Sequence, residues 1–490
     1  MGSGELPEGW VCAEIGDVTE RAEKIDPRNT PDRIIRYIDI SSIDNKRFRI
    51  AGPSIVKLSE APSRARQLIR EGDTLFSLVR PYLKNIAFVD ASLDGEIAST
   101  GFCVLRSNGA LDPKFLFYRA ISQDFVNSLS EGQYGVSYPA VNEQQVRAQL
   151  IAVAPLNEQR RIVEKIEALF AELDKGEESL RQVQKLLARY RQSVLKAAVT
   201  GELTADWRAR HAGKLEHGRD FLARILKARR ENWQGRGEYK DPVRPHADRL
   251  PELPQGWVWT TVDQLLVHLT SGSRDWKRFY GRGNGVFIMA QNVRPMRFDL
   301  SERFLVDPPR GSPDAVRSEV KKDDLLVTIV GANTGDVCRF PLDAREHYVC
   351  QSVALIRLAD ARFSRYLELY LSSHGGGREQ IDAFIYGAGR PHLSFEQLRS
   401  ICVPLPPFEE QAEIQRRVAE VVDQIDKIQQ ACTLEFARSS ALRNSILKFA
   451  FSGRLVPQDP NDEPASELLA RIRAQRASES RKTTRRAATA

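Results

Sequence analysis

The sequence has little of what most enzymes, secreted proteins and membrane proteins depend on. No stretch of about 18 consecutive apolar residues occurs, which excludes a conventional membrane-spanning helix. The opening Met1-Gly2-Ser3-Gly4-Glu5 lacks the basic and apolar regions of a secretory leader, so the expectation is a cytoplasmic protein. The six cysteines, Cys12, Cys103, Cys338, Cys350, Cys402 and Cys432, form no C-x-x-C pair. That pattern speaks against a zinc ribbon or a thiol-exchange centre and for reduced, mostly buried thiols. Seven histidines without ligand spacing argue against a metal site. The phosphate-cradling G-x-x-x-x-G-K-[ST] loop, a strand-following G-x-G-x-x-G, H-E-x-x-H and G-x-S-x-G are all missing, so nucleotide binding and the common hydrolytic mechanisms have no visible footing. Asp307-Pro308-Pro309-Arg310 resembles the Asp-Pro-Pro-aromatic of methyltransferases that flip adenine. Arginine replaces the stacking aromatic, however, and a turn is the better reading.

What is present is a long, ordinary globular composition with a basic balance. The 490 residues are 42% hydrophobic and 28% charged, enough for two or more independent cores. The net charge of +7 and a pI near 9.0 suit a polyanionic partner. Part of that charge is local: from Arg471 onward seven Lys or Arg face only Glu479, giving a basic tail whose alternatives are a solvated end or an accessory nucleic-acid contact.

The chain is also written twice. Leu6-Pro7-Glu8-Gly9-Trp10-Val11 recurs as Leu253-Pro254-Gln255-Gly256-Trp257-Val258. Tyr134-Gly135, Pro139, Glu158-Gln159 and Ser193 through Gly201 then recur at Tyr386-Gly387, Pro391, Glu410-Gln411 and Ser445 through Gly453, all at one constant offset of 252. Leu222-Ala223-Arg224-Ile225 is echoed by Leu469-Ala470-Arg471-Ile472. The first part of each copy carries short β-branched runs between Gly, Pro, Asn and Asp, as at 74–79 and 325–330. These read as strands, with short helices over 115–122 and 366–373.

The second part of each copy changes period. Ile162, Ile166, Leu169, Leu173, Leu180, Val183, Leu187, Tyr190 and Val194 alternate steps of four and three, interrupted only at Gly176; Ile414, Val418, Val421, Ile425, Ile428, Cys432, Leu442 and Ile446 repeat the phase, weakened at Glu435 and Ser439. Each run starts after a proline, Pro155 or Pro407, and stops at a glycine fit for a left-handed cap, Gly201 or Gly453. Roughly 42 residues at 1.5 Å rise make a rod of roughly 60 Å. Each rod has a narrow seam that it does not bury alone, so the simplest arrangement pairs the two antiparallel.

The fold class expected is therefore α+β: two β-rich mixed domains and two long antiparallel coiled-coil helices in a pseudo-two-fold internal duplication. The division is a β-rich domain over 1–155, a long helix over 156–203, a charged connector with a short helix over 204–250, a second β-rich domain over 251–406, a second long helix over 407–455, and a C-terminal segment with the basic tail over 456–490.

The remaining chemistry lies in loops that mix basic, aromatic and amide side chains with glycine. In the first copy they contribute Arg80, Tyr82, Lys84 and Asn85, then Gln133, Tyr134 and Tyr138. In the second they contribute Ser273, Arg274, Trp276 and Lys277, then Asn333 and Thr334, then Tyr386, Arg390 and His392. Arg and Lys suit guanine edges, Asn and Gln suit adenine, and glycine-turn amides suit phosphate, so these sixteen are the candidate DNA contacts.

The ordered duplication resembles the specificity subunits of type I restriction-modification systems. The likeness is carried over nearly the whole chain by the two Leu-Pro-x-Gly-Trp openings, by the helix starts Pro155-Leu156-Asn157-Glu158-Gln159 and Pro406-Pro407-Phe408-Glu409-Glu410-Gln411, and by the helix ends around Gly201 and Gly453. The resemblance implies two target-recognition domains, each reading one half of a bipartite asymmetric sequence in double-stranded DNA, with the helices as a ruler. It further implies docking of two modification subunits and recruitment of a restriction subunit. By the same resemblance, S-adenosylmethionine, ATP and Mg are expected to belong to those partners, with no cofactor and no catalysis in this chain. Two rivals stay open at this point: a methyltransferase or nuclease active alone, and a coiled-coil scaffold without DNA preference.

Overall fold

The structure is a computed structural model that describes residues 6–130, 140–231, 238–246, 250–273, 275–387 and 389–487, with the backbone alone at Ser130 and over 477–487. It divides into two compact units: Met1–Arg181 together with Thr433–Ala490, and Gln182–Cys432. Each unit thus takes one β-rich part, the first half of one long helix and the second half of the other.

In the first unit the strands form two four-stranded sheets. One has the order Ser54–Lys57, Ile34–Ile38, Ile97–Ser99, Ala65–Leu68, and the other Thr19–Glu20, Phe102–Ser107, Thr74–Ser77, Ile86–Phe88. A separate antiparallel pair joins Val11–Glu14 to Leu150–Val153, tying the opening of the copy to the strand that feeds the long helix. The second unit repeats the plan. Its four-stranded sheet runs Leu266–Ser271, Val353–Leu358, Leu325–Thr328, Val337–Arg339, and its closing pair joins Val258–Thr261 to Cys402–Leu405. Its other sheet has three strands, Leu305–Val306, Tyr280–Ile288 and His347–Val349. The expected short helices are Pro113–Ile121, capped by Asp112 accepting from Lys114 N and Phe115 N, and Ser364–Ser372.

The duplication reaches individual hydrogen bonds. Arg106 forks onto Asp73 at 2.9 and 2.7 Å, and Arg357 forks onto Asp324 at 2.9 and 2.6 Å. Trp10 Nε1 donates to buried Glu158 at 3.0 Å and Trp257 Nε1 to buried Glu410 at 2.9 Å. Ala465 N donates to Gly9 O, as Gly218 N does to Gly256 O.

The long helices are Leu156–Thr200 and Phe408–Ala450, 45 and 43 residues. The first runs through Gly176 unbroken, and both end where Gly201 and Gly453 adopt φ of +80° and +68°. Within the first unit Ser439 donates to Glu177 at 2.7 Å, Arg443 to Asp174 at 2.8 Å, and the Arg181 guanidinium lies 5.7 Å from the Phe436 ring centre. Residue numbers rise along one helix as they fall along the other, so these segments are antiparallel. The segments in the second unit obey the same rule, with Arg191 donating to Asp426 at 3.4 Å.

The seam itself needs correction. Ile162, Ile166, Ile414, Val418 and Ile425 are buried, and Leu169, Leu173, Leu180, Leu187 and Val421 half-buried, but Ile428 and Leu442 are 45% and 49% exposed. Val183 and Tyr190 are exposed too. At those levels the seam is kept by polar side chains one position along, Gln184, Arg191, Gln429 and Arg443, and between the last two by Phe436 and Ser439, all half-buried or buried. An apolar count assigns the seam to the nearest hydrophobic residue, whereas a 3.5-residue period fixes it by angle.

In the connector, Asp206 pairs with Arg417 of the second long helix at 2.7 Å, and Phe221, Leu222 and Ile225 of the helix Gly218–Glu231 join the second unit's core.

Candidate nucleic-acid interface

In the second unit three sequence-distant loops are knitted together. Ile329 N donates to Ser352 O at 2.8 Å, Leu393 N to Ile329 O at 3.0 Å, Gly331 N to Pro391 O at 3.1 Å, and the Thr334 hydroxyl reaches Gly331 O and Pro391 O. These bonds gather Val330, Gln351, Ser352, Arg390 and His392 around a recess of about 350 Å³. Tyr386, 54% exposed, stacks on His392 with ring centres 5.5 Å apart, and its hydroxyl lies 3.3 Å from His392 Nδ1. An exposed aromatic stacked on imidazole beside an exposed arginine offers a flat surface and donors of the kind that meet bases and phosphates.

Of the second unit's candidates, Asn333, Tyr386, Arg390 and His392 stand at this recess or on its bonded loops. Thr334 belongs to the same knot but is buried and spends its hydroxyl on backbone carbonyls. Two side chains proposed as DNA contacts are interior instead. Trp276 packs 5.7 Å from Phe287 and 5.3 Å, edge-on, from Tyr348, in the core of the three-stranded sheet, and Ser273 is buried at the start of the same loop. A tryptophan among basic residues reads alike for a stacking platform and for a core anchor, and here burial of its large apolar ring prevails. Lys277 is exposed beside it, and Arg274 lies outside the described residues.

The first unit repeats the frame with different chemistry. Leu78 N donates to Gly101 O and Val141 N to Leu78 O, both at 2.9 Å, the counterparts of the bonds at Ile329 and Leu393. Arg80 stands where the second unit has Gly331. Both are left-handed, Arg80 at φ +48° and Gly331 at +114°. Lys84 is left-handed as well, at φ +52°, so two side-chain-bearing residues flank Pro81-Tyr82-Leu83 in a conformation that costs about 1–2 kcal/mol each. The loop presents Tyr82, 52% exposed, with Leu83 beside it, and Asn45 Nδ2 donates to Leu83 O at 2.9 Å. Lys84 has a partner of its own: Nζ donates to Ile121 O at 3.1 Å, at the end of the helix Pro113–Ile121, where a helix dipole welcomes a cation, and burial lowers its pKa. Lys84 therefore anchors the loop, and Asn85 is half-buried next to it. Gln133, Tyr134 and Tyr138 lie outside the described residues.

Gln351 and Ser352 were not legible in advance. They sit in the turn between His347–Val349 and Val353–Leu358, and the pairing of Leu325–Thr328 with Val353–Leu358, continued by the bond from Ile329, brings them to the recess.

Comparison with known proteins gives the family. A family model described as the type I restriction modification DNA specificity domain matches residues 7–182 and 317–434, more than half of the chain. Among curated relatives, the specificity subunit of the type I restriction enzyme StySPI of Salmonella potsdam is 24% identical over 513 residues, covering 100% of both chains. That of EcoKI of Escherichia coli K12 is 25% identical over 501 residues, covering 97% of each. Among solved structures, a chain from a study of complex assembly and conformational transition of the type I R-M system is 29% identical with a TM-score of 0.66, covering 92% of this chain and 100% of that one. The HsdS subunit of Thermoanaerobacter tengcongensis is 29% identical with a TM-score of 0.52, covering 93% and 99%. The chain belongs to the type I restriction-modification DNA specificity family.

Proposed function

We propose that this chain reads a bipartite, asymmetric DNA target, one half by each β-rich domain, and that its paired long helices fix the spacer and dock two modification subunits. The observation that carries the reading is a shared frame with unshared contents. The bonds at Leu78 and Val141 are repeated at Ile329 and Leu393, yet the side chains around them differ: Arg80 against Gly331, Thr100 against Gln351, Ala140 against His392. Two equal scaffolds with different donors and acceptors suit two different half-sites. Methyl transfer, with S-adenosylmethionine, and ATP- and Mg-dependent restriction fall to the partner subunits, and this chain supplies address and geometry.

Docking has candidate surfaces in the apolar side chains that the helices leave exposed: Val183, Leu186 and Tyr190 at 37%, 60% and 54%, and Leu434 at 58%. Val183, Leu186 and Tyr190 recur at steps of three and four, as one face of a helix requires.

The test is exchange of residues 251–406 for the corresponding part of a relative with known specificity, followed by salt-controlled binding to DNA libraries in the presence of modification subunits. One half of the preferred sequence should change and the other persist. Binding with no preference over random DNA would favour a scaffold, and methyl transfer by the purified chain alone would favour a free-standing enzyme.

A further inference from the structure

We infer that Gln351 is a base-reading side chain of the second domain and that its partner is an adenine. This rests on the specificity reading above and adds to it a residue and a base. Gln351 lines the recess with Ser352, Arg390 and His392, and its carboxamide oxygen is buried with no hydrogen-bond partner among the described residues. An orphaned carbonyl is unfavourable where it lies, and a turn of the carboxamide about its terminal bond brings that oxygen to the recess, where a donor arriving with a ligand satisfies it. A carboxamide offers one acceptor and one donor side by side, which matches the N6 amino group and N7 of adenine in the major groove.

The backbone on either side of Gln351 is also held. Ile329 N donates to Ser352 O at 2.8 Å, Ser352 N meets Cys350 Sγ at 3.4 Å, and Val353 N and Gly272 N both donate to Cys350 O, at 3.2 and 3.1 Å. Gly272 approaches so closely that a Cβ there would lie 1.8 Å from Val349 O. Both neighbours of Gln351 are therefore fixed by backbone bonds, so the backbone that carries its carboxamide loses little freedom when a base is met. In the first unit the same position, beside the Gly101 carbonyl that accepts from Leu78, is Thr100, which is exposed. At this position a carboxamide is thus present in one unit and not in the other.

The experiment expresses the full chain with its modification subunits and maps methylated adenines genome-wide for wild type, Gln351→Ala and Gln351→Asn. The expected result is that one A·T position of one half-site loses preference by roughly tenfold or more in both variants, while the other half-site and the spacer stay as they were. An unchanged motif in both variants overturns the inference, as does loosening at a G·C position. Loss of all methylation by both variants, with melting temperatures equal to wild type, also overturns it, because Gln351 would then supply affinity and not discrimination. A wild-type chain that yields no bipartite motif would instead strike the specificity reading on which the inference stands.

Discussion

Glu158 and Glu410 occupy one position of the repeat and meet different surroundings. Glu410 accepts from Trp257 at 2.9 Å, Thr204 at 2.7 Å and Arg208 at 2.6 Å. Glu158 accepts from Trp10, and its other oxygen is buried with no partner among the described residues. Burial pushes the Glu158 carboxyl above its ordinary value, with the Trp10 N–H only partly opposing. A carboxyl raised in the folded state holds a proton that the unfolded chain releases, so stability falls as pH climbs above the ordinary 4.5 and through the raised value. Glu158→Gln should therefore equal or exceed wild type in melting temperature, with the gap widening as pH rises above the ordinary 4.5. Glu410→Gln should destabilise the second unit by about 1–3 kcal/mol at neutral pH, measured by denaturant unfolding. Two further substitutions separate architecture from reading. Trp276→Ala should cost about 3–5 kcal/mol, as removal of a core ring does. Arg80→Gly removes left-handed strain of about 1–2 kcal/mol and should weaken binding to DNA carrying the first half-site, as read by a salt-controlled binding assay.

Among the elements, the long helices were the most legible part of the sequence, since a sustained 3.5 period, a leading proline and a terminal glycine fix length and ends. What that reasoning missed was the exact face. Ile428 and Leu442 are exposed because Gln429 and Arg443 hold the seam at those levels, and hydrophobicity alone does not see a polar seam residue paired across the helices. Glu177 illustrates such a pair: burial pushes its carboxyl up, yet hydrogen bonds from Ser439 and Arg443 outweigh that and hold it below the usual range. The loops were legible as candidates but not as a site, because their joining depends on backbone bonds between residues far apart, such as Ile329 with Ser352 and Gly331 with Pro391. Charged residues in place of half-buried Leu169 and Leu173 should break the seam and abolish assembly with modification subunits while each β-rich domain keeps its fold, as read by co-purification and near-ultraviolet circular dichroism. Charges in place of exposed Leu186 and Tyr190 should also weaken co-purification, but without lowering the melting temperature; unaltered co-purification would remove that face from the docking surface.

At the scale of the whole molecule, the proposal joins two unlike readers to one gauge. One added heptad in each long helix keeps the seam in phase and adds roughly 10 Å of helix, close to three base-pair steps, so the unspecified spacer should lengthen while both half-sites persist. The most direct measurement is the map of methylated adenines in a genome carrying this chain with its modification subunits. The account predicts two constant, dissimilar blocks separated by a fixed number of unspecified bases. A single contiguous motif, two identical blocks in inverted repeat, or a spacer of variable length would contradict it.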